Sequence, residues 1–206
     1  MDFGQLKTAV AAWANRSDLT SMMATFYELA EQRVYNGSPD FGVDQLRISP
    51  MLVTVNPFTG TLPSDVCQIQ RLAVIMDSSR RKSLEFIPYG QISTSQDYSG
   101  TPAFYSLNGS TVVYGPTFTN DVELTYYAKF ASPSVDADTN WLLTNASSVL
   151  LYGMLVEVAL YLRDQELLAT VGKLYANAVN AVIDNDQQYQ HSGSTLRIVT
   201  DNPMRR

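Results

Sequence analysis

Residues 119–155 read TNDVELTYYAKFASPSVDADTNWLLTNASSVLLYGML. The stretch passes from a strand to a helix, and that change decides the fold. Val122, Leu124, Tyr126 and Phe130 alternate with Glu123, Thr125, Tyr127 and Lys129. Period two predicts a strand with one buried face and one at least partly wet. A polar loop follows, then Asn140-Trp141-Leu142-Leu143, then a run to about Arg163 that Asn145 or Ser147 can cap and that is apolar almost all round. A helix without a polar face has to sit centrally, enclosed by others.

The enclosing helices come from both ends of the chain. Phe3, Leu6, Val10 and Trp13 share one helical face. A second helix, opened by Thr20, carries Met23, Phe26, Ala30 and Val34 and stops at Asn36-Gly37. Beyond the central run, Asp164 precedes a long helix to about Gln188, with Leu168, Val171, Tyr175, Ala178 and Val182 in a bundle stripe. Between these helical ends, Gly, Pro, Asn and Ser separate short runs rich in Val, Ile, Tyr and Thr. Five to seven antiparallel strands are expected there. Asn108-Gly109 supplies the two positive φ angles of a type I′ hairpin turn. The expected fold is α+β: a four-helix bundle built from 1–40 and 136–190, with an inserted antiparallel β-sandwich or barrel-like domain at 41–135 and an extended tail at 191–206.

Composition narrows the function. Its 206 residues suit one domain or one domain with a large insertion, and 45% hydrophobic content excludes a disordered chain. A net charge of −6 argues against a protein that grips duplex phosphates. The single cysteine, Cys67, allows no intrachain disulfide and fits a reducing compartment. MDFGQLKTAV has no basic segment leading into an apolar core, and Val149–Leu162 is too short to span a bilayer. No membrane association is expected.

Groups able to do covalent chemistry are few. His191, the only histidine, falls in the tail, and Cys67 reads as a small buried hydrophobe in a strand. Asp136 and Asp138 lack the further oxygen ligands of a calcium loop: the twelfth position from Asp136 is Ser147, not a bidentate Glu. They read as loop carboxylates. Glu123, Glu157 and Asp136 are the acids a cell-wall hydrolase would have to use, and Tyr126 or Tyr127 could stack on glycans in a binding module. Asn36-Gly37-Ser38 and Asn108-Gly109-Ser110 match glycosylation acceptors but read as turns. Arg80, Arg81 and Lys82 form the densest basic run and read as an exposed hairpin tip, with contact to DNA or an acidic partner as the alternative. The tail carries three arginines against one aspartate, a net +2, leaving −8 for the rest of the −6 chain. Trp141 is expected to be a large apolar anchor where the chain returns to the bundle.

Six segments occur in an order that resembles one family: LKTAVAAWANRSDLT, LPSDV, TPAFYSLNGSTVVYGP, VELTYYAKF, NWLLTNASSVLLYGMLVEVALYLRDQE and SGSTLRI. They are similar to the head-to-tail adaptors, or connectors, of tailed bacteriophages, in particular the type found in short-tailed phages with elongated heads. The resemblance implies a virion structural protein without catalytic activity or cofactor, made in the host cytoplasm. It implies a homo-oligomeric ring of twelve copies between the portal protein and the tail or nozzle proteins. It also implies a C-terminal extension that meets portal subunits, making Leu196, Arg197, Ile198, Arg205 and Arg206 candidate contacts. A closed ring needs two different patches per subunit, which an aromatic-rich surface can supply. An acidic channel would let double-stranded DNA pass without holding it.

Overall fold

The computed structural model describes residues 1–77, 80–92, 99–116, 118 and 121–192. Helix α1 (Phe3–Trp13) starts at Asp2. The Asp2 carboxylate accepts from the Gln5 N–H at 2.7 Å, and the Gln5 side chain accepts from the Asp2 N–H at 3.1 Å. This reciprocal pair satisfies two donors near the helix start. Phe3, Leu6 and Val10 are buried, but Trp13 is 56% exposed, contrary to the spacing argument. It is the last helical residue, just before Asn15 turns left-handed (φ 49°), and its ring meets Tyr152 edge-on at 5.8 Å.

Helix α2 (Met23–Asn36) begins two residues later than Thr20 as its cap suggests. The Thr20 hydroxyl donates to the Ser17 carbonyl at 2.8 Å, so a short 3-10 turn (Thr20–Met22) precedes the helix. Gly37 ends α2 at φ 82°, and a Cβ there would lie 3.1 Å from the Gln45 nitrogen and the Val43 oxygen. Only glycine meets both demands.

The central run divides in two. Helix α4 (Trp141–Asn145) is capped by Asn140, and α5 (Ser147–Leu162) follows a break at Ala146 (φ −135°, ψ 38°). Neither Asn145 nor Ser147 therefore opens the run; its first cap lies at Asn140. Val149, Leu150, Met154, Leu155, Val156, Val158 and Ala159 bury every side of α5, which touches α1, α2, α4 and the last helix, α6 (Gln165–His191). A Cβ on Gly153 would lie 3.2 Å from the Ala30 Cβ and 3.4 Å from the Tyr175 ring, so three helix backbones converge there. Arg163 closes α5 in the left-handed region, and the Asp164 carboxylate caps α6 through the Leu167 N–H at 2.9 Å. A buried ion pair joins α2 to α5. Arg33 donates to one oxygen of the buried Glu157 from Nε at 2.8 Å and Nη2 at 2.5 Å.

The strands form two sheets. The first is antiparallel, in the order β1 (Leu52–Val55), β7 (Val122–Ala128), β2 (Val66–Ile75), β3 (Arg81–Ser83). The second joins β4 (Glu85–Phe86), β5 (Phe104–Asn108) and β6 (Thr111–Gly115), with β4 parallel to β5 and the short helix α3 (Tyr89–Ile92) against β5 and β6. Neither sheet closes on itself among the described residues. The β5–β6 hairpin differs from its expected turn. Asn108 pairs with Thr111 as a strand residue, and Gly109 alone has positive φ (61°). One positive φ at the first central position is the type II′ pattern, which serves a hairpin equally well.

Strand β7 is buried on one side and partly buried on the other. Val122, Leu124, Tyr126 and Ala128 join a core drawn from both sheets, while Tyr127 packs against the bundle core together with Cys67 and Phe130. The face expected to be partly wet is thus covered in part by helices.

Replacing Arg33 by Met should leave Glu157 buried without its partner and cost about 3 kcal/mol in denaturant unfolding. Adding Glu157→Leu to that variant should restore much of the loss, because the stranded charge goes with it.

Candidate functional site

Residues 129–141 form the junction between sheet and bundle. The Phe130 N–H donates to the Tyr35 hydroxyl at 2.9 Å, and the Ser132 hydroxyl donates to Glu31 at 2.6 Å. Asn140 works in three directions. Its carbonyl oxygen accepts from the Leu143 N–H at 2.9 Å, while its amide donates to the Tyr27 hydroxyl at 3.2 Å and the Ala131 carbonyl at 3.0 Å. Burial pushes the Tyr27, Tyr35 and Glu31 pKa values upward, so both phenols stay protonated at neutral pH. Tyr27, Glu31 and Tyr35 recur every fourth residue along α2, beside its apolar face. That spacing was visible in the sequence, but only the structure shows what the stripe meets.

The same junction holds the start of the chain. The Phe3 N–H donates to the Asp138 carbonyl at 3.1 Å, the Gly4 N–H donates to the Asp136 carbonyl at 2.9 Å, and Lys7 pairs with the Asp136 carboxylate. Asp138 folds its own loop: its carboxylate accepts from the Val135 N–H (2.9 Å), the Ser134 N–H (2.7 Å) and the Ser134 hydroxyl (3.0 Å). These donors hold its pKa below the ordinary value.

Trp141 stacks on Phe130, with centroids 5.5 Å apart and planes 15° from parallel. It also lines a groove of about 300 Å³ with Ile48, Pro50, Val182, Asp186 and Tyr189 among its walls. Asp186 ties α6 to the turn before β1, accepting from the Ser49 N–H at 3.0 Å and the Ser49 hydroxyl at 3.2 Å.

The candidate acids stay apart and are each engaged by a cation. Glu123 is held by Arg71 at 2.7 Å and Arg81 at 2.8 Å, Glu157 by Arg33, and Asp136 by Lys7. Of the basic run, Arg81 is therefore spent on Glu123, Arg80 pairs with Asp77 at 2.7 Å, and Lys82 is exposed on β3 opposite Val74. Burial raises the Cys67 pKa, the reverse of what a thiolate nucleophile needs. His191 is the last residue of α6, three residues beyond the expected helix end. Tyr126 is buried with its hydroxyl 3.2 Å from Asp65, and Tyr127 is half-buried against the bundle, so neither ring offers a glycan an open face. Among the described residues, no group of three or more His, Cys, Asp or Glu could hold a metal ion, and no helix is long and apolar enough to cross a membrane. Leu196, Arg197, Ile198, Arg205 and Arg206 lie outside the described residues.

Among the described residues, hydrogen bonds across the junction lock the bundle to the sheet. The family model of the SU10 adaptor protein matches residues 1–199. The chain belongs to the SU10 adaptor protein family. This agrees with the resemblance to phage head-to-tail adaptors and makes the chain a structural protein of a bacteriophage virion. No curated protein matches it. In this SU10 adaptor family member the adaptor signature spans helices, sheets and junction alike.

Asn140→Ala should lower unfolding stability by about 1 kcal/mol through the lost helix cap, and by more through the lost hydrogen bonds to the Tyr27 hydroxyl and the Ala131 carbonyl. Asp138 has a depressed folded-state pKa, so its stabilisation is present above the unfolded value of about 3.9 and is lost as pH falls through the folded value. Asp138→Ala should therefore be less stable than the parent near neutrality, and the gap should close in acid unfolding curves.

Proposed function

We propose that this chain is a head-to-tail adaptor whose copies, twelve in number, form a ring between the portal and the tail of a short-tailed phage. The family match across residues 1–199 carries the reading. In this reading the segments 1–40 and 136–190 act as the helical unit, 41–135 as the inserted β unit, and Trp141 anchors the return between them.

A ring of identical subunits joins one patch to a different patch on the next copy. Exposed aromatics lie on two separate parts of the molecule: Trp13 and Tyr161 on the bundle, Phe86 and Tyr89 on the β unit. Such side chains favour interface cores. The net charge of −6 suits a channel that repels phosphates, so that DNA slides through. Leu196, Arg197, Ile198, Arg205 and Arg206 are the proposed portal contacts. In this reading the protein turns over no substrate, and Glu123, Glu157 and Asp136, each paired with a cation in a different place, serve as structural acids.

Mixing the purified chain with the portal of its own phage and imaging the product should show rings stacked on portal. Removing residues 193–206 should weaken that association by at least about tenfold, the loss of one or two interface side chains. An intact chain that leaves the portal bare would overturn the reading.

A further inference from the structure

The groove at Trp141 combines an apolar lining, from Ile48, Pro50, Trp141 and Val182, with the carboxylate of Asp186. Every hydrogen bond to that carboxylate comes from a neutral donor, Ser49 or Gln190, and no ion pair engages it among the described residues. The position is electrostatically unfavourable. Asp184 and Asp186 sit near the C-terminal, negative end of α6, and from Leu174 to His191 the helix has no Lys or Arg. The next cations along the chain are Arg197, Arg205 and Arg206.

Geometry brings the first of these within reach. Val182 lies nine residues before His191, about 14 Å back along the helix axis at 1.5 Å per residue. A tight reversal uses about two residues, and an extended chain then covers about 3.3 Å per residue, so Leu196 and Arg197 return to the level of Asp186 and Ile198 to that of Val182. In an extended segment Leu196 and Ile198 share the side that would face the groove, and Arg197 leaves from the other, from where its long side chain can bend over the rim toward Asp186.

We propose that the segment 193–206 folds back along its own α6, seating Leu196 and Ile198 in the groove against Trp141 and Val182, with Arg197 near Asp186. The occupant is the chain's own tail because tethering gives it an effective concentration of order millimolar, which a second copy reaches only in a crowded assembly. The latch itself needs no other protein. Where it rests on the proposed function is its release: the same residues would leave the groove to meet the portal.

The two tryptophans are Trp13 and Trp141, so Trp13→Phe leaves Trp141 as the single reporter. In that background the full chain should emit at shorter wavelength than a chain ending at Ser192. A synthetic peptide of residues 193–206 should reverse the shift in the shortened chain. Asp186→Asn should weaken the peptide about tenfold, the loss of one charge-assisted contact, and flatten its salt dependence. Leu196→Asp with Ile198→Asp, at full length, should reproduce the spectrum of the shortened chain. Identical emission with and without the tail would overturn the proposal, as would a shift that grows with protein concentration, which would assign the groove to a neighbour's tail. Neither result depends on portal binding, so this test and that of the proposed function fail separately.

Discussion

From Val149 to Ala159 helix α5 has no side it can show to water, and that constraint organises the molecule. Val149, Leu150, Met154, Leu155, Val156, Val158 and Ala159 surround its axis and are all fully or almost fully buried. Burying one such side chain contributes about 1.5–3 kcal/mol, so the set outweighs the local preferences of any single element. Helices α1 and α2 must cover one part of α5 and α6 another, although about 110 residues separate α2 from α5. Everything between them has to leave and re-enter the bundle as a unit. The sheet is the result, and the junction at 129–141 is where it is fastened.

Polar groups at the fastening are used for position. Asn140 caps α4 and reaches Tyr27 and Ala131, while the Asp136 and Asp138 carbonyls receive N–H groups of α1. Orphaned helix donors cost free energy when buried, so the loop and the helix start satisfy each other. The same logic disposes of Glu123 and Glu157. Each is nearly buried, and each is held by arginine in a place where an unpaired carboxylate would be costly. Acids engaged in this way keep elements in register, which is the work of a structural protein.

The central helix, the helical pairs and the existence of a sheet insertion were legible because each rests on periodicity over many residues. What failed were inferences from single residues. Spacing places Trp13 on the core face, yet it ends its helix and lies at the edge. Thr20 has a capping side chain, but its hydroxyl donates backward to Ser17. Asn108-Gly109 marks the hairpin correctly, with the turn shifted by one residue because Asn108 stays in the strand. The candidate site was less readable still. Tyr27, Glu31 and Tyr35 show a fourfold spacing, but their partners Asn140, Ser132 and Phe130 are more than ninety residues away. No local pattern encodes such a meeting.

The clasp between the first helix and residues 136–138 also has a consequence in time. A ribosome adding 5–20 residues per second delivers Asp136 roughly ten seconds after α1, and the last turns of α5 later still. Until then Phe3, Met23, Phe26 and Val34 face solvent on a nascent chain with nothing to cover them. The first two helices are thus made early and finished late, their apolar faces waiting for a partner that is still being synthesised.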